Sequence, residues 1–291
     1  MNQATSYSLN NKTIAITGST GDLMQKLCPK LLDQGAKLLF LNRSLEKTTV
    51  MRHHLKLSHP NGEVSFHETD LSDPLSVKNA IAFLKEHPVD IFILGAGIYQ
   101  VERHRTDFGY DNIFTVNFLS HYILVRELLE VFRANHTKVV TVGSIAYRYS
   151  KSDVSDPDFV NKTGCAVPYG NSKRYLMTAL GELLKDETEM DYVICHPGVA
   201  FTNMSAHYPD KVYKLMKKPL ETFLAKPEDA VESIYAALTM PVPKGCWVGP
   251  EVMDTWGKPT VSPIGGIEEA EQKEIFETAE KLYEEFVKMW E

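Results

Sequence analysis

The stretch Thr13-Ile14-Ala15-Ile16-Thr17-Gly18-Ser19-Thr20-Gly21-Asp22-Leu23-Met24 decides the fold. A short apolar run at Thr13–Thr17 leads directly into a turn carrying Gly18 and Gly21, and an amphipathic stretch follows from about Leu23 to Gln34. A strand that enters a glycine turn and then a helix opens a βα unit of a parallel sheet. Glycine lets the backbone turn tightly and approach a ligand closely. The helix N-terminus behind it offers unpaired N–H groups and a partial positive charge. Gly18, Ser19, Thr20, Gly21, Asp22 and Leu23 are therefore candidates to hold a dinucleotide pyrophosphate, although two glycines also suit a plain βα turn.

The same alternation continues outward. Apolar runs at Lys37–Leu41, about Val64–His67, Asp90–Leu94, Lys138–Val142 and Tyr192–Cys195 predict strands, with a seventh at Cys246-Trp247-Val248. Helical spacing predicts helices over 45–58, Pro74 to about Glu86, 111–134, Pro168 or Tyr169 to about Glu187, and 227–239. Residues 147–166 read as a polar loop, 200–220 as irregular and helical, and the Glu- and Lys-rich tail from Ile267 as a closing helix over 267–291. No repeat, low-complexity segment or linker divides the chain. The expectation is α/β architecture: one Rossmann-like domain over 1–291, a doubly wound parallel sheet of about seven strands, with 200–225 covering the substrate.

Composition is ordinary for a globular chain: of 291 residues, 43% are hydrophobic and 24% charged. The net charge of −7 and the lack of a basic stretch argue against nucleic acid as a partner. Cys28, Cys165, Cys195 and Cys246 are scattered, with neither a CxxC pair nor a zinc-ligand spacing, so they read as reduced and no metal is expected. The N-terminus lacks the pattern of a signal peptide, and no run of about 18 apolar residues predicts a membrane span, so the expected location is cytoplasmic.

Ends of the other strands supply the rest of a ligand edge. Strand two closes in Leu41-Asn42-Arg43, without the acidic residue that would bind adenosine ribose hydroxyls, and Arg43 can pair with a 2′-phosphate. This favours NADP(H), with NAD(H) as the lesser possibility. Asp70-Leu71 follows strand three, where Asp70 can meet an adenine amino group or cap a helix. Gly95-Ala96-Gly97 ends strand four with side chains small enough for a cofactor to lie on the backbone. After strand six, His196-Pro197-Gly198 forces a turn whose backbone can meet a nicotinamide carboxamide, and Thr202 can reach the carboxamide or the pyrophosphate.

Tyr-x-x-x-Lys occurs three times, at Tyr147/Lys151, Tyr169/Lys173 and Tyr213/Lys217. On a helix, residues i and i+4 share a face, so phenol and ammonium lie together. Only Tyr169 opens a strong amphipathic helix just after strand five and its loop, at the carboxyl edge of the sheet. A free phenol has a pKa near 10, and a neighbouring ammonium would lower it. Ser144, closing strand five, can donate to a substrate oxygen or serve as a cap. Asn117, inside the long helix, can hold a local distortion or a water, or simply sit on a polar face.

Taken in order, these residues resemble the short-chain dehydrogenase/reductase superfamily from about Lys12 to Cys246. The carriers are the Thr-Gly turn, Asp70-Leu71, Gly95-Ala96-Gly97, Val116-Asn117, Gly143-Ser144, Tyr169-x-x-x-Lys173 and Pro197-Gly198-x-x-x-Thr202. Val116 to Tyr122, His196 to Val199 and the 25-residue spacing from Ser144 to Tyr169 are most similar to the retinol-dehydrogenase-like and protochlorophyllide-reductase-like branch. The resemblance implies a tetrad of Asn117, Ser144, Tyr169 and Lys173. Tyr169 would be the acid–base, Ser144 the oxygen donor, Lys173 the ribose anchor and Asn117 the holder of a relay water. It implies reversible hydride transfer between nicotinamide and a carbonyl or alcohol carbon. Two departures stand out: Asp22 and Met24 occupy usual glycine positions, which predicts a looser helix–pyrophosphate contact, and Leu94-Gly95 replaces a common Asn-Asn.

The alternatives are a non-catalytic NAD(P)-binding regulatory protein, which Asp22 and Met24 motivate, and a nucleotide-sugar epimerase or dehydratase, which Gly18-x-x-Gly21 motivates. An intact tetrad argues against the first, and the long Ser144–Tyr169 gap against the second. Tyr147, Tyr149, Phe159, Phe201, Tyr208 and Tyr213 suggest an apolar pocket wall for a small carbonyl or alcohol, though they can equally fill a core. Helices 111–134 and 168–187 carry the faces that pair in many relatives, so a homodimer is expected.

Overall fold

A computed structural model describes residues 7–198, 227–288 and 290. Expectations resting on Val199, Phe201, Thr202, Tyr208, Tyr213, Lys217 and the 200–225 cover lie outside the described residues. One eight-stranded sheet runs in the order β3-β2-β1-β4-β5-β6-β7-β8. Its strands are β1 (Thr13–Thr17), β2 (Lys37–Asn42), β3 (Val64–Glu68), β4 (Ile91–Leu94), β5 (Lys138–Val142), β6 (Asp191–Cys195), β7 (Cys246–Val252) and β8 (Trp256–Pro263). All pairs are parallel except β7–β8. The order reverses between β1 and β4, which opens the crevice where ligands of doubly wound sheets sit.

The two faces of the sheet are both covered, so each strand spends its alternating side chains on two cores. Ala15, Leu39, Leu41, Phe92, Leu94 and Val139 pack under α3 (Pro74–Glu86), α4 (Ser120–Ala134) and α5 (Ala166–Leu184). Ile14, Ile16, Leu38, Phe40, Ile91, Ile93, Val140 and Val142 pack under α1 (Asp22–Asp33), α2 (Leu45–Ser58) and α6 (Pro227–Thr239). The register sets Thr17 beside Leu41, Leu94 beside Thr141 and Val142 beside Cys195 at the carboxyl edge.

Two elements differ from the expected ones. The seventh strand is longer than the expected 246–248, and an eighth strand, in a segment given no element from sequence, pairs antiparallel to it. β8 contains Pro259 and Pro263, which an edge strand tolerates because one row of its N–H groups needs no partner. The expected helix 111–134 runs on from Asn112 to Ala134 but contains a π-helical segment: one turn at Asn112–Phe114, the π segment at Thr115–Leu119, then α4. Asn117 sits in the π segment, where its carboxamide is held from outside the helix.

The C-terminal helix α7 (Glu269–Lys288) lies across α5 and α4 and buries Ile275, Ala279, Leu282 and Phe286. Its polar contacts are equally specific. Tyr122 donates to Glu280 at 2.6 Å, Tyr283 to Glu127 at 2.6 Å, and Arg174 pairs with Glu271 at 2.5 Å. The chain's own C-terminal helix thus covers part of the α4 and α5 faces. Among the described residues, no helix is long and apolar enough to cross a membrane.

Candidate active site

The turn after β1 is built on contacts that only glycine permits. Gly18 has φ +69°, and a Cβ there would lie 2.7 Å from the Ala96 Cα. The turn thus rests directly on the Gly95–Gly97 segment after β4. Thr17 holds the two together: its Oγ1 accepts from Gly95 N–H at 3.0 Å and Ala96 N–H at 3.1 Å. Nε2 of His121 lies 2.9 Å from the same oxygen, and Nδ1 lies 3.3 Å from the Asn117 carbonyl. A carbonyl can only accept, so the ring proton sits on Nδ1 and Nε2 takes the Thr17 proton. Burial, helped by the charge of Lys173, pushes His121 down to about 3, so the imidazole is neutral.

Helix α1 starts at Gly21 with no side-chain cap, whereas α2 and α3 are capped by Ser44 and Asp73. An uncapped helix start beside an exposed glycine fits an anionic pyrophosphate. Met24 does not fill that space. It is 2% exposed and points into the core under the turn, where its Cε would lie 3.0 Å from a Cβ on Gly95. The two departures from the family pattern therefore compensate: the glycine usually found on the helix side has moved to the strand side. Helix α1 therefore packs closely on the sheet at this turn.

Not every expected cofactor residue faces the crevice. Ser19 is fully buried, its N–H donating to Asn42 Oδ1 at 2.9 Å and its hydroxyl taking the Asn42 amide at 2.7 Å. It builds the turn from inside. Leu71 is 6% exposed, and its carbonyl accepts from Ser120. Thr20 and Leu23 are half-buried, as is Asp22, and Gly21 is exposed. Asn42 turns its amide inward, onto Ser19 and Thr48, while the Arg43 side chain is 72% exposed and 3.9 Å from Asp70. Asp70 also accepts from Ser72 N–H and hydroxyl, and Asp73, not Asp70, caps α3.

The tetrad candidates converge beyond Gly97. A Cβ on Gly97 would lie 3.5 Å from Asn117 Oδ1 and 3.6 Å from Lys173 Nζ. Asn117 is pinned on both sides: Oδ1 accepts from Ile98 N–H at 2.7 Å, and Nδ2 donates to the Ile98 carbonyl at 3.0 Å. Nδ2 also reaches Ser172 Oγ at 3.1 Å, and Ser172 donates to the Tyr169 carbonyl. Asn117 thus ties the loop after β4 to the helix carrying the reactive pair. Ser144 caps the 3₁₀ turn Ile145–Tyr149 by accepting from Ala146 N–H, which leaves its own proton to donate. Gly170 has no room for a Cβ, which would meet the Ala146 carbonyl at 2.6 Å, so α5 presses Tyr169 against the Ser144 turn.

Burial raises the Tyr169 pKa, the Ser144 hydrogen bond lowers it, and Tyr99 raises it. Burial also pushes Lys173 down to about 8, and its ammonium donates to the Val142 carbonyl at 2.8 Å. Ser144 is the group that lowers the phenol here. Tyr99 was not read from sequence, and its ring stands 4.9 Å from that of Tyr169. Of the aromatic residues expected to wall the pocket, three are among the described residues. Tyr147 is fully buried, donating to the Gly265 carbonyl, and Phe159 is buried, while Tyr149 is 76% exposed. Gly198, after Pro197, has φ +78° and lies on the end of the β7–β8 hairpin.

A family model described as short chain dehydrogenase matches residues 12–156. Human retinol dehydrogenase 14 is 29% identical over 253 residues, covering 79% of this chain and 74% of the relative. An uncharacterised oxidoreductase of Schizosaccharomyces pombe is 29% identical over 254 residues, covering 81% and 75%. A solved structure from Mycobacterium paratuberculosis, itself of an uncharacterised protein, superposes with a TM-score of 0.74 at 22% identity over 96% of both chains. L-sorbose reductase from Gluconobacter frateurii, solved with NADPH and L-sorbose, gives 0.60 at 16% identity over 80% of this chain and 91% of that one. Together with the crevice and the converging side chains, these define the class: the chain is a short-chain dehydrogenase/reductase. It is an NAD(P)-dependent oxidoreductase similar to the retinol-dehydrogenase-like branch.

Proposed function

We propose that the protein moves hydride reversibly between NADP(H) and the carbonyl or alcohol carbon of an apolar small molecule. The observation that carries this reading is the convergence of Asn117 and Lys173 on Gly97, and of Ser144 on Tyr169, at the carboxyl edge. When bound, the cofactor supplies or accepts the hydride. Its pyrophosphate would be held by Gly18, Gly21 and the start of α1, and its ribose by Lys173. Gly95, Ala96 and Gly97 would form the floor, Asp70 would meet the adenine side, and Pro197-Gly198 with Thr202 the carboxamide. Tyr169 gives its phenolic proton to the substrate oxygen in reduction and takes it back in oxidation. Ser144 donates a second hydrogen bond to that oxygen. Asn117 keeps α5 in register through Ser172 and would anchor a water that returns protons to solvent.

NADP(H) is favoured over NAD(H) because Arg43 is exposed where a 2′-phosphate would arrive, and because Asn42 brings no carboxylate there. Tyr99 beside Tyr169 supports an apolar substrate, and several relatives are named retinol dehydrogenases, so extended apolar aldehydes and alcohols are the first to try. The test is NADPH consumption across a panel of such carbonyls, with NADH in parallel. Turnover with NADPH is expected, and Arg43→Glu should lower the preference for NADPH by about tenfold or more. Binding of neither cofactor would contradict the proposal.

A further inference from the structure

The turn after β6 is held by side chains that sequence reading left unused. His196 is fully buried, with its ring 4.1 Å from that of Trp247 on β7. It lies so close to β7 that a Cβ on Gly249 would fall 2.3 Å from His196 Nε2. Nδ1 accepts from Gly198 N–H at 3.1 Å, so the ring proton sits on Nε2. That N–H has no hydrogen-bond partner among the described residues; Oδ1 of Asp254 lies 3.8 Å away. Asp254 stands in the β7–β8 connection with φ +56°, and its Oδ2 accepts from Arg148 at 2.8 Å. Arg148 in turn lies 5.4 Å over the Trp247 ring. From the other side, a Cβ on Gly198 would meet the Thr255 carbonyl at 2.4 Å and Pro250 at 2.8 Å. The hairpin end is seated on the turn, and the imidazole joins them.

We propose that His196 is a positioning residue: backed by Asp254 and Arg148, it clamps Pro197-Gly198 onto the β7–β8 hairpin in the form that receives the nicotinamide half of the cofactor. The inference rests on the NADP(H) reading above. It differs in assigning a task to the hairpin, which otherwise only closes the sheet edge. His196 touches neither cofactor nor substrate. It acts by supplying the acceptor for Gly198 N–H and by filling the space that Gly249 leaves. The adenosine half binds some distance along the crevice, at β1 and β2, and does not depend on this turn.

That separation sets the experiment. Calorimetry on the full chain compares NADPH with 2′,5′-ADP, which carries the adenosine half alone. His196→Leu removes the acceptor and should weaken NADPH about tenfold, the loss of roughly one buried hydrogen bond, while 2′,5′-ADP binding stays within about twofold. His196→Asn restores an acceptor near the Nδ1 position and should recover most of the NADPH affinity. Asp254→Ala, at the hairpin end, should weaken NADPH in the same selective way and to a smaller degree, and it serves if His196→Leu does not fold. Equal loss of both ligands, or no loss of either, would overturn the clamp. If the unaltered protein binds neither ligand, the cofactor reading itself fails and this inference falls with it.

Discussion

At the residue scale, the proposed function rests its proton transfer on Tyr169, whose surroundings would set the pH at which it works. Burial holds its pKa above the usual phenol value, against the lowering by Ser144. Reduction needs the protonated phenol, so its rate should stay level through neutral pH and fall only as pH rises through that raised pKa. Oxidation needs the phenolate, so its rate should climb with pH over the same range. Lys173, pushed down to about 8, loses its charge above that pH, and NADPH affinity should decline from there. Initial rates in both directions and calorimetry over pH check these expectations; a reduction rate that falls with acid would contradict them. Ser144, Tyr169 and Lys173 were legible in the sequence because their order between strands five and six fixes where the topology puts them. Tyr99, Ser172 and His121 were not, because their roles depend on what each touches across a loop or a helix. Periodicity records which face a residue occupies, not its partner.

At the element scale, the turn between β1 and α1 shows how a motif can shift its parts. A glycine on the helix normally makes room for close packing. Here Met24 fills that room, and Gly95 on the facing strand end yields it. Gly95→Ala should cost about 1–3 kcal/mol by overpacking. In a Met24→Ala background the same change should cost at least about 1 kcal/mol less, since the two positions share one space. Relief should be incomplete, because the Thr17 carbonyl also lies 3.0 Å from the added carbon. Urea melts of the four proteins measure the coupling, and strict additivity would refute it. The same scale explains two features that the sequence pattern marks only weakly. β8 carries Gly257, Pro259 and Pro263, which punctuate a sequence like a loop yet suit an edge strand. The π segment keeps apolar spacing close to that of an α-helix, so only the polar Asn117 marked it.

At the scale of the whole molecule, the alternation of strands and helices sufficed to read a doubly wound sheet with two covered faces. It did not reveal what covers α4 and α5. An apolar helix face looks the same in sequence whether a second subunit or the chain's own C-terminus packs on it. Here α7 does so, with Phe286 stacked on Phe108 at 4.6 Å and Glu280 taking bonds from Tyr122 and Arg126. The protein should accordingly run as a monomer of 32.9 kDa in light scattering. Removing residues from Glu269 onward would bare the buried apolar stripe of α4 and α5 and should produce self-association. A stable dimer of the full chain that persists on dilution would contradict this.

The central claim, that Tyr169 is the proton carrier of an NADPH-dependent reduction, is tested most directly by Tyr169→Phe. Single-turnover reduction of a responsive carbonyl should fall by a factor of about 10² to 10⁴, while NADPH affinity by calorimetry stays within about twofold of the unaltered protein. Turnover that survives the change, with affinity intact, would contradict it.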